Sequence, residues 1–198
     1  MVLYDFLPSG NGYKVRLLLS QLGIRFTLVE KEIFAGETRT PDFLAINPNG
    51  RIPVLELDDG RRLAESDAII FYLAEGTRFL PAERFARAEV LQWMFFEQYS
   101  HEPYIAVARR LRHMDGKPVP AELAERGRQA LGVMERHLAG RTFFVGDAYT
   151  IADVALYAYT HVADEGGFDL APYAAVRAWL ARVAAQPGHV PITKRDFG

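Results

Sequence analysis

The hydrophobic period of this chain changes once, and that change limits the folds open to it. From Val2 to about Glu75, short strand-like runs alternate with helical periods; from about Glu83 onward every periodic segment is helical. A sheet can bury one face only against another layer, so the first half needs helices packed on strands. The second half needs helices packed on helices. With 198 residues, the chain is long enough for one large domain or two small ones of about 100 residues each. The pattern favours two: residues 1–76 as an α/β domain, a linker at about 77–82, and residues 83–198 as a helical bundle.

Within the first half, Val2-Leu3-Tyr4-Asp5-Phe6 reads as a buried strand that stops at Pro8-Ser9-Gly10. Val15, Leu18, Leu19 and Leu22 then recur at i, i+3, i+4 and i+7, one face of an amphipathic helix, and Gly23 supplies its C-terminal stop. Phe26-Thr27-Leu28-Val29 resumes strand character, so residues 2–29 predict a βαβ unit with a parallel pair. A short helical stretch near Asp42–Ala45 follows. Ile52–Leu57 and Arg61–Ala64 flank Asp58-Asp59-Gly60, a strong hairpin signal. Glu65-Ser66-Asp67 opens a helix running through Leu73, stopped by Gly76. The order βαβ, then ββα, is that of a thioredoxin-like domain.

In the second half, Val90, Met94, Tyr104 and Val107 mark a long helical path that Pro103 must kink or interrupt. Leu131, Met134 and Leu138 mark another helix. Ile151, Val154, Ala155 and Ala158, then Val176, Trp179, Leu180 and Val183, match the helical template fully. A helical bundle follows.

Charge and composition exclude several functions. With 23 basic and 25 acidic residues, no electrostatic surplus favours nucleic acid or an anionic membrane. Arg109-Arg110-Leu111-Arg112-His113 is basic but reads as a solvated helix face. No apolar stretch approaches the ~20 residues that cross a bilayer, and the N-terminus lacks a secretory pattern. A cytoplasmic protein is the expectation. The chain has no cysteine, which excludes disulfides, thiolate metal sites and any mechanism using a thiol of its own. Its five histidines show no ligand spacing, so no metal is implied.

Four segments carry a specific signal: Pro8-Ser9-Gly10-Asn11-Gly12-Tyr13-Lys14-Val15-Arg16, Asn47-Pro48-Asn49-Gly50-Arg51-Ile52-Pro53, Glu65-Ser66-Asp67-Ala68-Ile69 and Thr150-Ile151-Ala152-Asp153. In this order they resemble the cytosolic glutathione transferases over nearly the full length. The resemblance implies a thioredoxin-like domain fused to an all-α domain, usually as a homodimer, with glutathione as co-substrate and a small electrophile as partner.

The chemistry fits the residue types. A helix N-terminus carries about half a positive charge and several unpaired N–H groups. A thiol with a pKa of about 8.5 is mostly protonated at neutral pH, yet the thiolate is the nucleophile. Lowering that pKa by two units needs about 2.7 kcal/mol, within reach of one hydroxyl donor plus a helix end. Ser9 stands at the family's hydroxyl-donor position. Asn11 offers an amide N–H for the same purpose, as in some bacterial relatives; either residue also suits a plain helix cap. The resemblance makes the Ile52-Pro53 peptide cis, exposing backbone to pair with the cysteinyl unit. Arg51 is a candidate for the glycyl carboxylate, or an exposed loop arginine. Glu65 and Ser66 match the pair that recognises the γ-glutamyl end; read locally they form an acidic helix cap. Asp67 departs from the arginine or asparagine of many relatives and is expected to repel the γ-glutamyl carboxylate slightly.

Thr150–Asp153 has the spacing of a capping box with Asp in place of Glu and reads as structural. The second substrate is expected between the domains, with Tyr13, Tyr104, Arg109 and His113 as candidates. Trp93-Met94-Phe95-Phe96-Glu97-Gln98-Tyr99 places too many large apolar groups on one helix for a single face to bury, which suits a dimer contact. Glu97 is a candidate to reach the partner subunit's glutathione. Two other activities share these residues: a glutathione-dependent disulfide or peroxide reductase, and a non-catalytic ligand- or protein-binding module.

Overall fold

The computed structural model describes residues 1–197, and its chain divides into two compact units, Met1–Glu75 with the segment from Pro187, and Gly76–Gln186. The tail therefore belongs to the α/β unit and not to the helical domain its position suggests. The reason is hydrogen bonding that no periodicity displays. Val190 and Ile192 carbonyls accept from Tyr13 Oη and Arg16 Nη1 at 2.7 and 2.8 Å.

The first unit holds β1 (Val2–Asp5), α1 (Gly10–Leu22), β2 (Thr27–Glu30), α2 (Pro41–Ile46), β3 (Val54–Glu56), β4 (Arg62–Ala64) and α3 (Ser66–Ala74). Its sheet has the order β2-β1-β3-β4. β1 and β2 are parallel, while β3 runs antiparallel to both β1 and β4. This is a thioredoxin-like sheet. The local causes are those the residues suggest. Thr40 caps α2 by accepting from Phe43 N, with Pro41 at the first helical position. Gly23 closes α1 in the left-handed conformation, φ 67°.

α1 is buried more completely than one apolar face predicts. Every residue from Gly12 to Leu19 is buried, Lys14 and Arg16 included. A helix enclosed on more than one side cannot show a simple amphipathic stripe, and its two charged residues must find partners inside.

The second unit holds α4 (Arg84–Phe96), α5 (Glu102–Arg109), α6 (Ala121–Leu138), α7 (Ile151–Thr160) and α8 (Ala174–Ala184). Between α4 and α5, and again after α5, lie π-helical turns at Glu97–His101 and Arg110–Met114. Pro103 therefore does not break the path. The wide turn before it absorbs the missing N–H, as such turns commonly do. The core gathers Trp93, Met134, Phe144, Leu156 and Trp179, all buried. Asp153 organises it: Phe144 N and Trp179 Nε1 donate to Oδ1 at 3.1 and 2.8 Å, and Thr150 N donates to Oδ2 at 2.9 Å. The Thr150–Asp153 capping box is present. Among the described residues no helix is long and apolar enough to cross a membrane.

Candidate glutathione site

The sheet register explains how distant segments meet. Tyr4 pairs with Val54, and Val54 pairs with Ala64. Because β3 is antiparallel to its neighbours, the end of β1, the start of β3 and the end of β4 share one edge. The segments that leave there are Phe6–Asn11, Arg51–Pro53 and Glu65–Ser66. Six of the residues singled out by motif, Ser9, Asn11, Ile52, Pro53, Glu65 and Ser66, thus lie along one sheet edge.

Ser9 is the N-cap of α1, and its hydroxyl accepts from Gly12 N at 3.4 Å. That bond is long, so the oxygen is a weak cap. Its own proton has no acceptor among the described residues. The first turn of α1 contributes no acidic side chain of its own, and the helix end favours an anion there. Gly12 is required by packing: a Cβ there would fall inside the Asp5 carboxylate. Ser66 Oγ donates to Asn11 Oδ1 at 3.4 Å. With its carbonyl oxygen turned to Ser66, Asn11 directs its amide N–H pair elsewhere.

Lys14, which no motif reading singled out, completes this line. Its ammonium is fully buried, donating to Ser66 Oγ at 3.3 Å and to Asp67 Oδ1 at 3.0 Å. The repulsion expected from Asp67 is corrected accordingly: its charge is neutralised by Lys14. A lysine within an apolar helical run is the signal that could have revealed it, since a buried ammonium needs a carboxylate.

Glu65 has φ 67° and ψ 116°, and its side chain makes no capping bond. It is the non-glycine residue with positive φ in the chain's described part. The helix-cap reading of its side chain therefore fails. Such a backbone stores about 1–3 kcal/mol, and the side chain is exposed at the edge. The Ile52-Pro53 peptide is cis. Upstream, Asn47 builds the loop: its Nδ2 donates to Arg51 O at 2.8 Å and its Oδ1 accepts from Asn49 N at 3.1 Å. Arg51 itself is exposed.

The candidates for a second substrate fare differently. Tyr13 is fully buried, its hydroxyl held by the Val190 carbonyl with His189 Nε2 at 3.3 Å. It belongs to the core of the first unit. Arg109 is buried and paired with Glu165, a tie within the helical unit and not part of a solvated face. Tyr104 is half-buried on α5, and His113 is exposed with Nε2 3.7 Å from Glu165. Glu97 cannot extend to another subunit. It is buried, accepts from Gln98 Nε2 at 2.8 Å, and faces His101 at 3.9 Å. Among the described residues no three His, Asp or Glu side chains are grouped to hold a metal ion.

A thioredoxin-like sheet with two helix N-termini and hydroxyl donors on one edge, joined to a helical unit, defines a class, and sequence comparison agrees. The glutathione S-transferase N-terminal domain model matches residues 1–75 and the C-terminal domain model matches residues 92–187. The chain belongs to the glutathione S-transferase family. It is similar to a glutathione S-transferase from Pseudomonas fluorescens, with 52% identity, 98% of each chain covered and a TM-score of 0.94. It is also 30% identical to the disulfide-bond oxidoreductase YfcG of Escherichia coli, over 92% of this chain and 89% of that one. Ure2p, solved in complex with glutathione, is 25% identical, covers 94% of this chain and 90% of its own, and has a TM-score of 0.86.

Proposed function

We propose that this protein binds glutathione along the β1–β3–β4 edge and transfers its thiolate to an electrophilic small molecule. The observation that supports this reading most is the convergence on one edge of the α1 N-terminus, Ser9, Asn11 and the Glu65-Ser66 turn. In this reading Ser9 donates its hydroxyl proton to the thiolate and Asn11 adds an amide N–H. Each charge-assisted bond favours the ionised sulfur. Glu65 takes the γ-glutamyl ammonium, while Ser66 offers its backbone N–H to the adjoining carboxylate. Lys14 behind Ser66 donates to its Oγ and holds that side chain in place. Arg51 remains the candidate for the glycyl carboxylate.

The thiolate then attacks an electrophilic carbon. A C–S bond forms, the leaving group departs with its electron pair, and the product is a thioether. Holding both reactants side by side lowers the entropic barrier.

The likeness to a disulfide-bond oxidoreductase supports a second reading. There the thiolate attacks a disulfide sulfur, giving a mixed disulfide and releasing a thiolate. A second glutathione resolves it to oxidised glutathione. With no cysteine in the chain, both electrons come from glutathione. Turnover of chlorodinitrobenzene supports the transferase reading. Steady reduction of hydroxyethyl disulfide with no conjugation replaces it by the reductase.

We also propose a homodimer. Phe95 and Tyr99 are 68% and 83% exposed, large apolar surface that a partner subunit would cover. Sedimentation giving a monomer at micromolar concentration would dismiss it.

A further inference from the structure

The α1 helix carries a second buried cation, Arg16, beside Lys14. Arg16 is fully buried and makes three directed bonds. Its Nε donates to Asp5 Oδ2 at 2.8 Å, its Nη2 to the Leu7 carbonyl at 2.6 Å, and its Nη1 to the Ile192 carbonyl at 2.8 Å. Leu7 lies two residues before Ser9. The turn between them is framed by the same group: Asp5 Oδ1 accepts from Phe6 N at 2.7 Å, and Ser9 N donates to Phe6 O at 2.7 Å.

The tail lies over this cluster. Gly188, Val190 and Ile192 offer their carbonyls to Ser20 Oγ, Tyr13 Oη and Arg16 Nη1. Gly188 approaches closely, since a Cβ there would lie 2.9 Å from Gln21 Cα. Farther along, Phe197 lies against Phe26 with centroids 5.0 Å apart and the rings tilted by 37°. The tail residues themselves are exposed or half-buried, so the cover is thin.

We infer that Arg16 is a positioning residue for the thiol-binding turn, and that the 188–192 segment is its cover, keeping the Arg16–Leu7 bond dry. The inference rests on the glutathione reading above. A charge-assisted bond strengthens when water is excluded, and a guanidinium fork can hold a carboxylate and two carbonyls at once. An ammonium is a point charge on a flexible stem and cannot span the same three acceptors. Fixing the Leu7 carbonyl fixes where Ser9 Oγ and the first N–H groups of α1 point. A misplacement there weakens every bond to the thiolate.

The test uses full-length protein and the near-ultraviolet thiolate absorbance of bound glutathione, titrated with pH. Arg16→Lys should raise the bound thiol's pKa by about one unit and weaken glutathione affinity about tenfold. Tyr13→Phe, which removes one hydroxyl and keeps the ring, should shift both in the same direction by about half as much on the pH scale. A folded Arg16→Lys protein with unchanged thiol pKa overturns the inference. If Arg16→Lys does not fold, Tyr13→Phe decides alone: a shift supports the inference and no shift overturns it. Parent protein that takes up no glutathione removes the glutathione reading itself, and this inference with it.

Discussion

Replacing Asp153 by asparagine should change stability by an amount that depends on pH in a defined direction. Both oxygens of Asp153 accept. Phe144 N and Trp179 Nε1 reach Oδ1, while Thr150 N and Thr150 Oγ1 reach Oδ2. Burial raises its pKa from 3.8 to about 6 against the opposing effect of these donors. The native state therefore holds this proton more tightly than the unfolded chain. The sign follows from linkage. Stability from this group is fully present below about pH 4 and is lost as pH rises through about 6. The full loss is about 3 kcal/mol for a shift of about two units. A protonated Asp153 can reverse its bond with Thr150 Oγ1 and keep all four contacts. Asparagine cannot, because its amide nitrogen faces the buried Thr150 N–H without a lone pair. That orphaned donor costs about 1–3 kcal/mol at any pH. Asparagine does not titrate, so the parent's advantage should shrink by about 2 kcal/mol between about pH 4.5 and 7.5. Urea unfolding of both proteins, followed by the fluorescence of Trp93 and Trp179 together, measures it; the titration of Asp5 is common to both and cancels. A gap that stays constant or widens with pH would refute the argument, meaning the donors outweigh burial and Asp153 is ionised throughout.

Other substitutions probe the site. Glu65→Gly should stabilise the fold by about 1 kcal/mol by relieving the positive φ, yet weaken glutathione binding, as calorimetry and thermal unfolding can show together. Lys14→Met should destabilise by about 3 kcal/mol by leaving Asp67 uncompensated, and adding Asp67→Asn should recover most of that loss in denaturant titration. Gly12→Ala should destabilise by about 3 kcal/mol, since its Cβ displaces the Asp5 carboxylate from Arg16; a denaturation midpoint equal to the parent's would contradict that packing.

Much of this arrangement was legible in the chain itself. The βαβ-ββα order, the Asp58-Asp59-Gly60 hairpin and the Thr150–Asp153 cap follow from local rules, because turns, caps and alternation act over a few residues. The motifs also marked Ser9, Asn11, Glu65 and Ser66. What stayed hidden was non-local. Lys14 and Arg16 look like surface charges on an amphipathic helix until α3 and the tail enclose it. Tyr13 looks available to a substrate until Val190, 177 residues away, takes its hydroxyl. Glu97 looks exposed on a simple α-helix, but the π turn at Glu97–His101 accompanies a buried position that heptad counting cannot foresee. Pro103 was legible as an irregularity, and its accommodation was not.

The central claim concerns the acidity of a borrowed thiol at the mouth of α1. A pH titration of thiolate absorbance, with glutathione saturating the parent protein, tests it most directly. The account predicts a bound pKa of about 6.5, some two units below a free thiol at about 8.5. A bound sulfur that titrates at the solution value would contradict it.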